Sequence, residues 1–512
     1  MISSLANIDV AFKALAPRNA DWASILPEIC VAGLALFCLV QAMTLPKSLR
    51  WLIPTTARIG LALVMIMALQ GGTAWNPAEP TAFFAGLTKL SADSAQGIRV
   101  TFLLSALLTS FLAVRFFKER PAPIADYHHV LLVVTAAFML LAQSNHFVTL
   151  FVSLETAAVG LYVLVGYLRR SQASLEAGVK YLVAGGLSSA LLLMGIVLVY
   201  GSLGGPGVDS LNFDQINAAL AAGKGSALTM VGLALILGGA AFKLGAFPFH
   251  AWIPDVYQGA PTPTTALLGT ASKAAGAFTL LLLVTGPFAP LAPKLAPLLA
   301  IAAILTLLVG NLAALATTDV KRVLALSGVS HAGFLLAAIA AVVIAGANDD
   351  PRLLPIYLIA YTGPQLLSIY LIAYTIGTFL VSQALIELPV ADDHHRPLLG
   401  LRGLLRRSPI LASALGFGIG SLAGIPPSIG FFAKLLILIF LAKLNLWWVF
   451  GAALLSVAIS IHYYFAILRE AVVRPTDDQE EVVPLEISFT SRFLIGALSA
   501  ATILGSLLAF RN

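Results

Sequence analysis

The stretch AFKLGAFPFHAWIPDVYQGAPTP, residues 241–263, follows the apolar run LTMVGLALILGGA and sets a lysine, Lys243, five residues before a proline. A charge inside such a run is costly in lipid and by default marks an ion or proton path. Pro248 has no N–H, and its ring clashes with the carbonyl of residue 244, so the helix breaks there. A freed carbonyl at membrane depth is tolerated only where protein or water satisfies it. Residues 241–263 therefore predict a helix, a break, a local wetted pocket with Lys243 beside it, and His250 just beyond.

The rest of the chain agrees with a membrane setting. Of 512 residues, 59% are hydrophobic and 11% charged, where a soluble domain carries about 25% charged. That difference excludes a water-soluble core. The net charge of +6 is spread over single or paired basic residues, with no dense stripe of the kind nucleic acid needs. Cys30 and Cys38 form no CxxC pair, which argues against zinc and iron–sulfur sites. The N-terminus lacks the apolar core of a cleavable signal. GSLGGPG at 201–207 opens no helix after a strand and reads as a turn rather than a phosphate loop. ADDHHRP at 391–397 holds metal-ligand types, but adjacent residues beside arginines do not converge on one ion.

Apolar runs of about 20 residues occur fourteen times, counting an overlong, interrupted twelfth run at 409–441. Regular alternation is absent, so the fold class is an all-α polytopic membrane protein. With the chain start placed outside, sixteen basic residues fall in inner segments and nine in outer ones. That bias places both termini on the outer, periplasmic side. The second interruption lies in GFGIGSLAGIPPSIGFFAKL, where Pro426 and Pro427 would leave the carbonyls of Leu422 and Ala423 unpaired. Gly416, Gly420 and Gly424 there form a small-xxx-small face, read as helix packing. The breaks at Pro248 and Pro426 are 178 residues, or roughly five spans, apart. An odd number inverts the second unit, and paired interrupted helices point to an inverted repeat. The domains follow: 1–126 with helices 1–3, 127–286 as a first repeat, 294–468 as a second, inverted repeat, and 469–512 with the last helix.

With loop residues removed, Glu155, Lys180, Lys243, Lys273 and Lys434 stay within or close to apolar segments, together with His250, His331 and His462 and the less central Glu28 and Arg58. Single lysines often snorkel to the interface; four with a glutamate are better read as a path. A short loop between the fifth and sixth spans suggests that Glu155 meets Lys180. Attraction and burial would then oppose one another, a balance in which a small nearby change moves a proton. Lys273 sits amid small residues that leave room for water. His331 is read either as a satisfied buried histidine or as a relay assisted by Ser327 and Ser330.

Taken together, FKLGAFPFHAWIPDVYQGAPTPTTALLGTASK, GNLAALATTDVKRVLALSGVSHAGFLL, SLAGIPPSIGFFAKL, VKYLVAGGLSSALLLMGIVLVYG and the LPE at 26–28 resemble the antiporter-like proton-pumping subunits of respiratory complex I, and within them subunit N (subunit 2). The resemblance runs from about residue 26 to 470, and PDVYQGAPTP is quite specific for subunit N. It implies fourteen helices with two inverted five-helix repeats broken at helices 7 and 12. It also implies a proton path matched here by Glu155, Lys180, Lys243, Lys273 and Lys434, with His250 and His331 on motif positions. The chain would then hold no redox centre, cofactor or metal of its own. NADH, FMN, iron–sulfur clusters and quinone would belong to partner subunits of a proton-translocating NADH:quinone oxidoreductase. M- and L-type antiporter-like subunits, small K- and J-type subunits and membrane lipid would surround it, in a bacterial inner membrane or, alternatively, a thylakoid. A cation/proton antiporter of Mrp type and a membrane-bound hydrogenase subunit are the alternatives. LETAAVG and the long segment around YTGPQLLSIYLIAYTIGTF depart from the family pattern.

Overall fold

The computed structural model describes residues 17–70, 73–75, 77, 80–90, 92–120, 122–205, 209–348, 363–389, 393–473 and 484–509. In lipid every backbone group must be satisfied within the chain, and the described chain is accordingly a bundle of helices. They are α1 (Leu26–Thr44), α2 (Leu52–Ala68), α3 (Ala92–Glu119), α4 (Ile124–Leu141), α5 (Phe147–Val165), α6 (Gln172–Leu203) and α7 (Ala227–Leu244). After the first break come α8 (Ile253–Gly259), α9 (Thr262–Leu267) and α10 (Lys273–Thr285), then α11 (Ala292–Leu315), α12 (Val320–Asn348) and α13 (Gly363–Glu387). The second break separates α14 (Pro409–Ala423) from α15 (Ile429–Lys443), and α16 (Trp447–Val472) and α17 (Phe489–Ala509) close the chain. Thirteen helical segments among the described residues are long and apolar enough to cross a membrane. The interrupted pair α14 and α15 supplies the fourteenth crossing expected from the sequence. Residues 354–362 of the expected eleventh span lie outside the described residues.

Burial sorts these helices by role. The segment Thr262–Thr285 is 94% buried, Val320–Gly346 89% and Gly363–Glu387 83%, against 28% for α1. The helices that carry Lys273, His331 and a set of tyrosines thus run through the middle, and α1 sits at the rim. Between α2 and α3 the chain forms a small hairpin, β1 (Thr81–Phe83) paired antiparallel with β2 (Thr88–Leu90); the sequence reading did not contain it. Glu28 and Arg99 are a buried ion pair at 2.7 Å, with Arg99 wholly enclosed. Gln143 and the carbonyls of Ser24 and Trp75 complete it. Arg99 starts the buried part of α3, and a single acidic partner makes that burial tolerable.

Both expected breaks exist, with local caps that differ from the simplest reading. α7 ends at Leu244, four residues before Pro248, because Gly245 takes a left-handed conformation (φ 78°). Its N–H and that of Ala246 turn back to the carbonyl of Ala241, and Phe247 N–H is taken by Thr306 Oγ1 at 3.1 Å. α14 ends the same way on Gly424 (φ 81°), and Ser428 starts α15 by accepting from the N–H of Phe431. The expected glycine face is corrected. A side chain at Gly416 or Gly420 would meet nothing within 4 Å, and Gly424 is the left-handed cap. The close approach is made by Gly418, where an added Cβ would lie 2.9 Å from the carbonyl oxygen of Gly377 on α13. Helix phase decides this, since Gly418 lies between the other two in sequence and points elsewhere.

Candidate functional site

Lys243 occupies the last turn of α7 and is buried. Its Nζ lies 3.8 Å from Glu155 Oε1 on α5. Glu155 also accepts from Ser189 Oγ on α6. At an effective dielectric of about 20, two charges at that separation interact by about 4 kcal/mol. A change in the charge of either side chain is therefore felt strongly by the other. Glu155 and Lys243 meet because α7 stops short and lets α10 approach its end. An added Cβ on Gly276 would lie 2.5 Å from the backbone nitrogen of Leu244, so only glycine allows that contact one turn beyond Lys273.

Lys273 follows directly on a π-turn, Leu268–Ser272, that interrupts the eighth crossing. Single π-turns inside helices are frequent at functional sites. Its ammonium is enclosed and donates to the carbonyl of Gly328 on α12 at 2.7 Å. A Cβ at Gly328 would lie 3.4 Å from Lys273 Nζ and 3.2 Å from Tyr374 Oη. The room expected from small neighbours is thus filled by close helix contact and the lysine itself. His331 stands one turn further along α12. Its Nδ1 pairs with Tyr370 Oη at 2.7 Å and its Nε2 with Tyr464 Oη at 3.3 Å. The Tyr374 ring is 4.5 Å away. Neither expected serine bonds His331 directly: Ser330 bonds Asn311 and Ser456, and Ser327 donates to the carbonyl of Leu324 and pairs with Tyr464, which is itself a partner of His331. A side chain three or four residues along a helix faces the same way as His331, but Ser327 caps its own backbone and Ser330 belongs to the next face. The three tyrosines were missed by sequence reasoning. YLIAY at 370–374 and the adjacent Tyr463–Tyr464 were the available signal, at helical spacing and with hydroxyls that need partners when buried.

Lys434, on α15, donates to the carbonyls of Leu422 and Ala423 at 2.7 and 3.1 Å. These are the two carbonyls that the Pro426–Pro427 break was expected to leave unpaired. The break and the lysine are therefore one device. Phe334 of α12 places its ring 5.3 Å from the same ammonium. On α12 His331 lies between Gly328, which Lys273 reaches, and Phe334, whose ring faces Lys434. The order along the bundle is Glu155 and Lys243, then Lys273 and Gly328, then His331 with its tyrosines, then Lys434. Near this line Ser153 Oγ, Tyr162 Oη, Trp252 Nε1, Thr375 Oγ1 and Ser421 Oγ are buried without a hydrogen-bond partner among the described residues, the places where ordered water is to be expected.

Two expected members do not join this line. Lys180 is exposed and pairs with Glu176 and Asp255 at 2.8 and 2.9 Å; the expected Glu155–Lys180 pair is corrected to Glu155–Lys243. Lys180 lies nine residues before Ser189, the residue on its helix that does reach Glu155, and nine residues of helix span about 13 Å. It belongs to a surface cluster with Asp255 and Arg322. The hydrogen bond from Lys180 leads the causes that hold the Asp255 carboxyl below its ordinary range. His250 sits in the turns after α7, half-buried, against the ring of Phe247, and its Nδ1 has no hydrogen-bond partner among the described residues. It touches no other member of the line.

A second buried network ties the central helices at their ends. Asp393 accepts from the N–H and hydroxyl of Thr262 at the start of α9, at 3.1 and 2.7 Å. It also pairs with Arg396 at 2.7 Å and with Lys321 of α12 at 3.3 Å. The metal-like ADDHHRP segment thus spends Asp393 on a clamp. Among the described residues no three His, Cys, Asp or Glu side chains are grouped to hold a metal ion. Burial works to raise the Asp393 carboxyl, but Lys321 and Arg396 outweigh it and hold it well below the usual range. Its stabilisation is therefore fully present above the ordinary carboxylate pKa of about 3.9 and is lost as pH falls below it. Asp393→Asn is expected to cost about 3 kcal/mol at neutral pH, with the gap to the wild type narrowing below about pH 4. Thermal unfolding in detergent across pH 3 to 8 checks both parts.

With this geometry in view, the comparisons with known proteins are direct. Residues 144–460 match the family model described as NADH:quinone oxidoreductase/Mrp antiporter, transmembrane. The chain is 44% identical over 473 residues to NADH-quinone oxidoreductase subunit N 1 of Opitutus terrae, covering 90% of this chain and 89% of that protein. It is 34% identical over 462 residues to NAD(P)H-quinone oxidoreductase subunit 2 of Synechococcus elongatus, covering 90% and 83%. A chain of respiratory complex I from Thermus thermophilus, solved with bound aureothin, superposes with a TM-score of 0.73 at 29% identity, over 94% of this chain and 97% of that one. Both broken crossings and Lys243, Lys273 and Lys434 fall within the matched residues 144–460, and the chain belongs to the NADH:quinone oxidoreductase/Mrp antiporter transmembrane family, among relatives that are subunit N of the quinone oxidoreductase.

Proposed function

We infer that this chain is a proton-translocating membrane-arm subunit of an NADH:quinone oxidoreductase, in which electron transfer in partner subunits drives protons along Glu155, Lys243, Lys273, His331 and Lys434. The observation that carries the reading is the position of Lys434 on the carbonyls opened by the second break, on one line with Lys273 and the Glu155–Lys243 pair. Intramembrane charges of this kind mark ion and proton paths. In this reading Lys180 serves at the surface end of the path with Asp255. The redox cofactors and the quinone site belong to other partner subunits, while membrane-arm subunits of the M, L, K and J types adjoin this chain. Both termini face the outer side of a bacterial inner membrane, and the two breaks mark inverted five-helix units.

The chemistry available to the line is transfer of protons between side chains and ordered water. A carboxylate at Glu155 and an ammonium at Lys243 stabilise one another, and moving either partner changes where a proton rests. Tyrosine hydroxyls both donate and accept, so Tyr370 or Tyr464 can pass a proton to His331 while taking another from a neighbouring hydroxyl or water, leaving the phenolic oxygen neutral. The test uses inverted membrane vesicles carrying the whole complex. NADH oxidation is expected to acidify their interior in sodium-free medium, with the same initial rate after sodium is added. Acidification that requires sodium, or sodium–proton exchange without NADH, would instead support the antiporter reading.

A further inference from the structure

Arg58 has no place in the proton line, yet it lies two turns into an apolar helix, α2. Its Nε donates to the carbonyl of Pro54 and its terminal nitrogen to Thr55 Oγ1, at 3.1 and 3.3 Å, and its guanidinium lies 4.9 Å over the ring of Phe111. These partners are all neutral. No carboxylate among the described residues stands within ion-pair distance of it. A cation at that depth needs an anionic neighbour or water. The structure supplies a space for one. Arg58 lines a cavity of about 680 Å³ bounded by α2, the last turns of α3 and α13, and the first turn of α17. Ligand sites fall in that size range.

The lining has a direction. Arg58 and Thr490 line it, and the first turn of α17, a helix of 21 residues, adds N–H groups that favour an anion; the Ser491 hydroxyl is held by Glu387 and the Ser491 N–H by Ser488 Oγ. Arg115 is already committed to Glu119 and Glu387 at 2.6 and 3.0 Å. Lys118 and Glu486, both at the rim, have no ion-pair partner among the described residues. Arg58 is half-buried within α2, while the exposed Lys118 and Glu486 at the mouth carry both signs. The wall on the membrane side is apolar, with Phe111 and Leu494, and exposed Leu63 on α2 and Phe493 on α17 continue it along the bundle.

We propose that this cavity binds one membrane phospholipid of the ethanolamine type, its phosphate on Arg58 and the start of α17 and its ammonium at Glu486. Phosphate suits a guanidinium, which offers several donors in a planar fork. The phosphate of such a lipid lies deeper than its amine, which is the order of charges in the cavity. A free phosphate ion shares the first contact but not the second, and it gains nothing from the apolar wall. The lipid would fill the gap between α2 and α17 and couple the first three helices to the last.

The test reconstitutes the full chain, in its native complex, into vesicles containing a trace of photoactivatable phosphatidylethanolamine. Cross-linked peptides are expected from 52–68 and from 489–509. Arg58→Gln is expected to lower their yield about tenfold, the weight of one charge-assisted contact, and Glu486→Gln is expected to lower the preference over a phosphatidylglycerol probe. Lys118→Gln, at an exposed helix end and outside the proposed contacts, serves as the control variant and is expected to leave both yield and assembly unchanged. Equal capture in all variants overturns the proposal. So does displacement by inorganic phosphate, exclusive capture of phosphatidylglycerol, or a carbodiimide cross-link from Lys118 to a partner chain in place of lipid.

Discussion

Lys243→Met is expected to lower NADH-driven proton translocation by at least about tenfold while leaving the complex assembled. Methionine has nearly the length of lysine and no charge, so it fills the same place at the end of α7 and keeps the packing against α10. What it removes is the only cation within 4 Å of Glu155 among the described residues, an interaction of about 4 kcal/mol. Loss of a positioned proton-transferring group costs on the order of a hundredfold or more in other systems, and tenfold is a lower bound. Glu155→Gln is expected to fall on the same pathway, and the double variant is expected to be no worse than the poorer single one, because both act through one pair. The measurement is the initial rate of NADH-driven acidification in inverted vesicles, with assembly followed on native gels. Full pumping in Lys243→Met refutes the role of the pair.

Lys434 permits a sharper separation of structure from proton transfer. Its ammonium satisfies two buried carbonyls at the second break. Lys434→Met leaves both unpaired, at about 1 to 3 kcal/mol each, and removes the titratable group. It is expected to lower the unfolding temperature and to abolish pumping. Lys434→Arg restores donors and charge, and a guanidinium does not release its proton in proteins. That variant is expected to recover most of the lost stability and none of the pumping. Recovery of both would mean that Lys434 is a cap for the broken helix and nothing more. The contrast is read from thermal unfolding in detergent beside the vesicle assay, on the same preparations.

Composition alone settled the setting, since 11% charged residues do not cover a water-soluble surface of this size. The fourteen crossings, the two breaks and the candidate charges were also local matters. A run of 20 apolar residues, a proline and a lysine each act on the chain within a few residues, and the sequence displays them directly. The carbonyls that Lys434 binds were legible for the same reason, because a proline names the carbonyl that it frees.

Partnership was not legible. Whether Glu155 faces Lys180 or Lys243 depends on the axial level of three helices, and about 1.5 Å per residue turns a nine-residue offset into a separation no side chain spans. The tyrosines around His331 come from α13 and α16, 39 and 133 residues away in sequence. Gly276 and Gly418 gained their meaning only when a second backbone arrived beside each of them, and Gly328 when Lys273 and Tyr374 did. Arg58 was visible as a misplaced charge, but its cavity required four helices to assemble. The sequence by itself determined which residues are expensive in lipid and where the backbone must open. Only the tertiary structure decided which of them meet, because contact across a bundle is set by helix phase and depth, and neither is encoded at any single position.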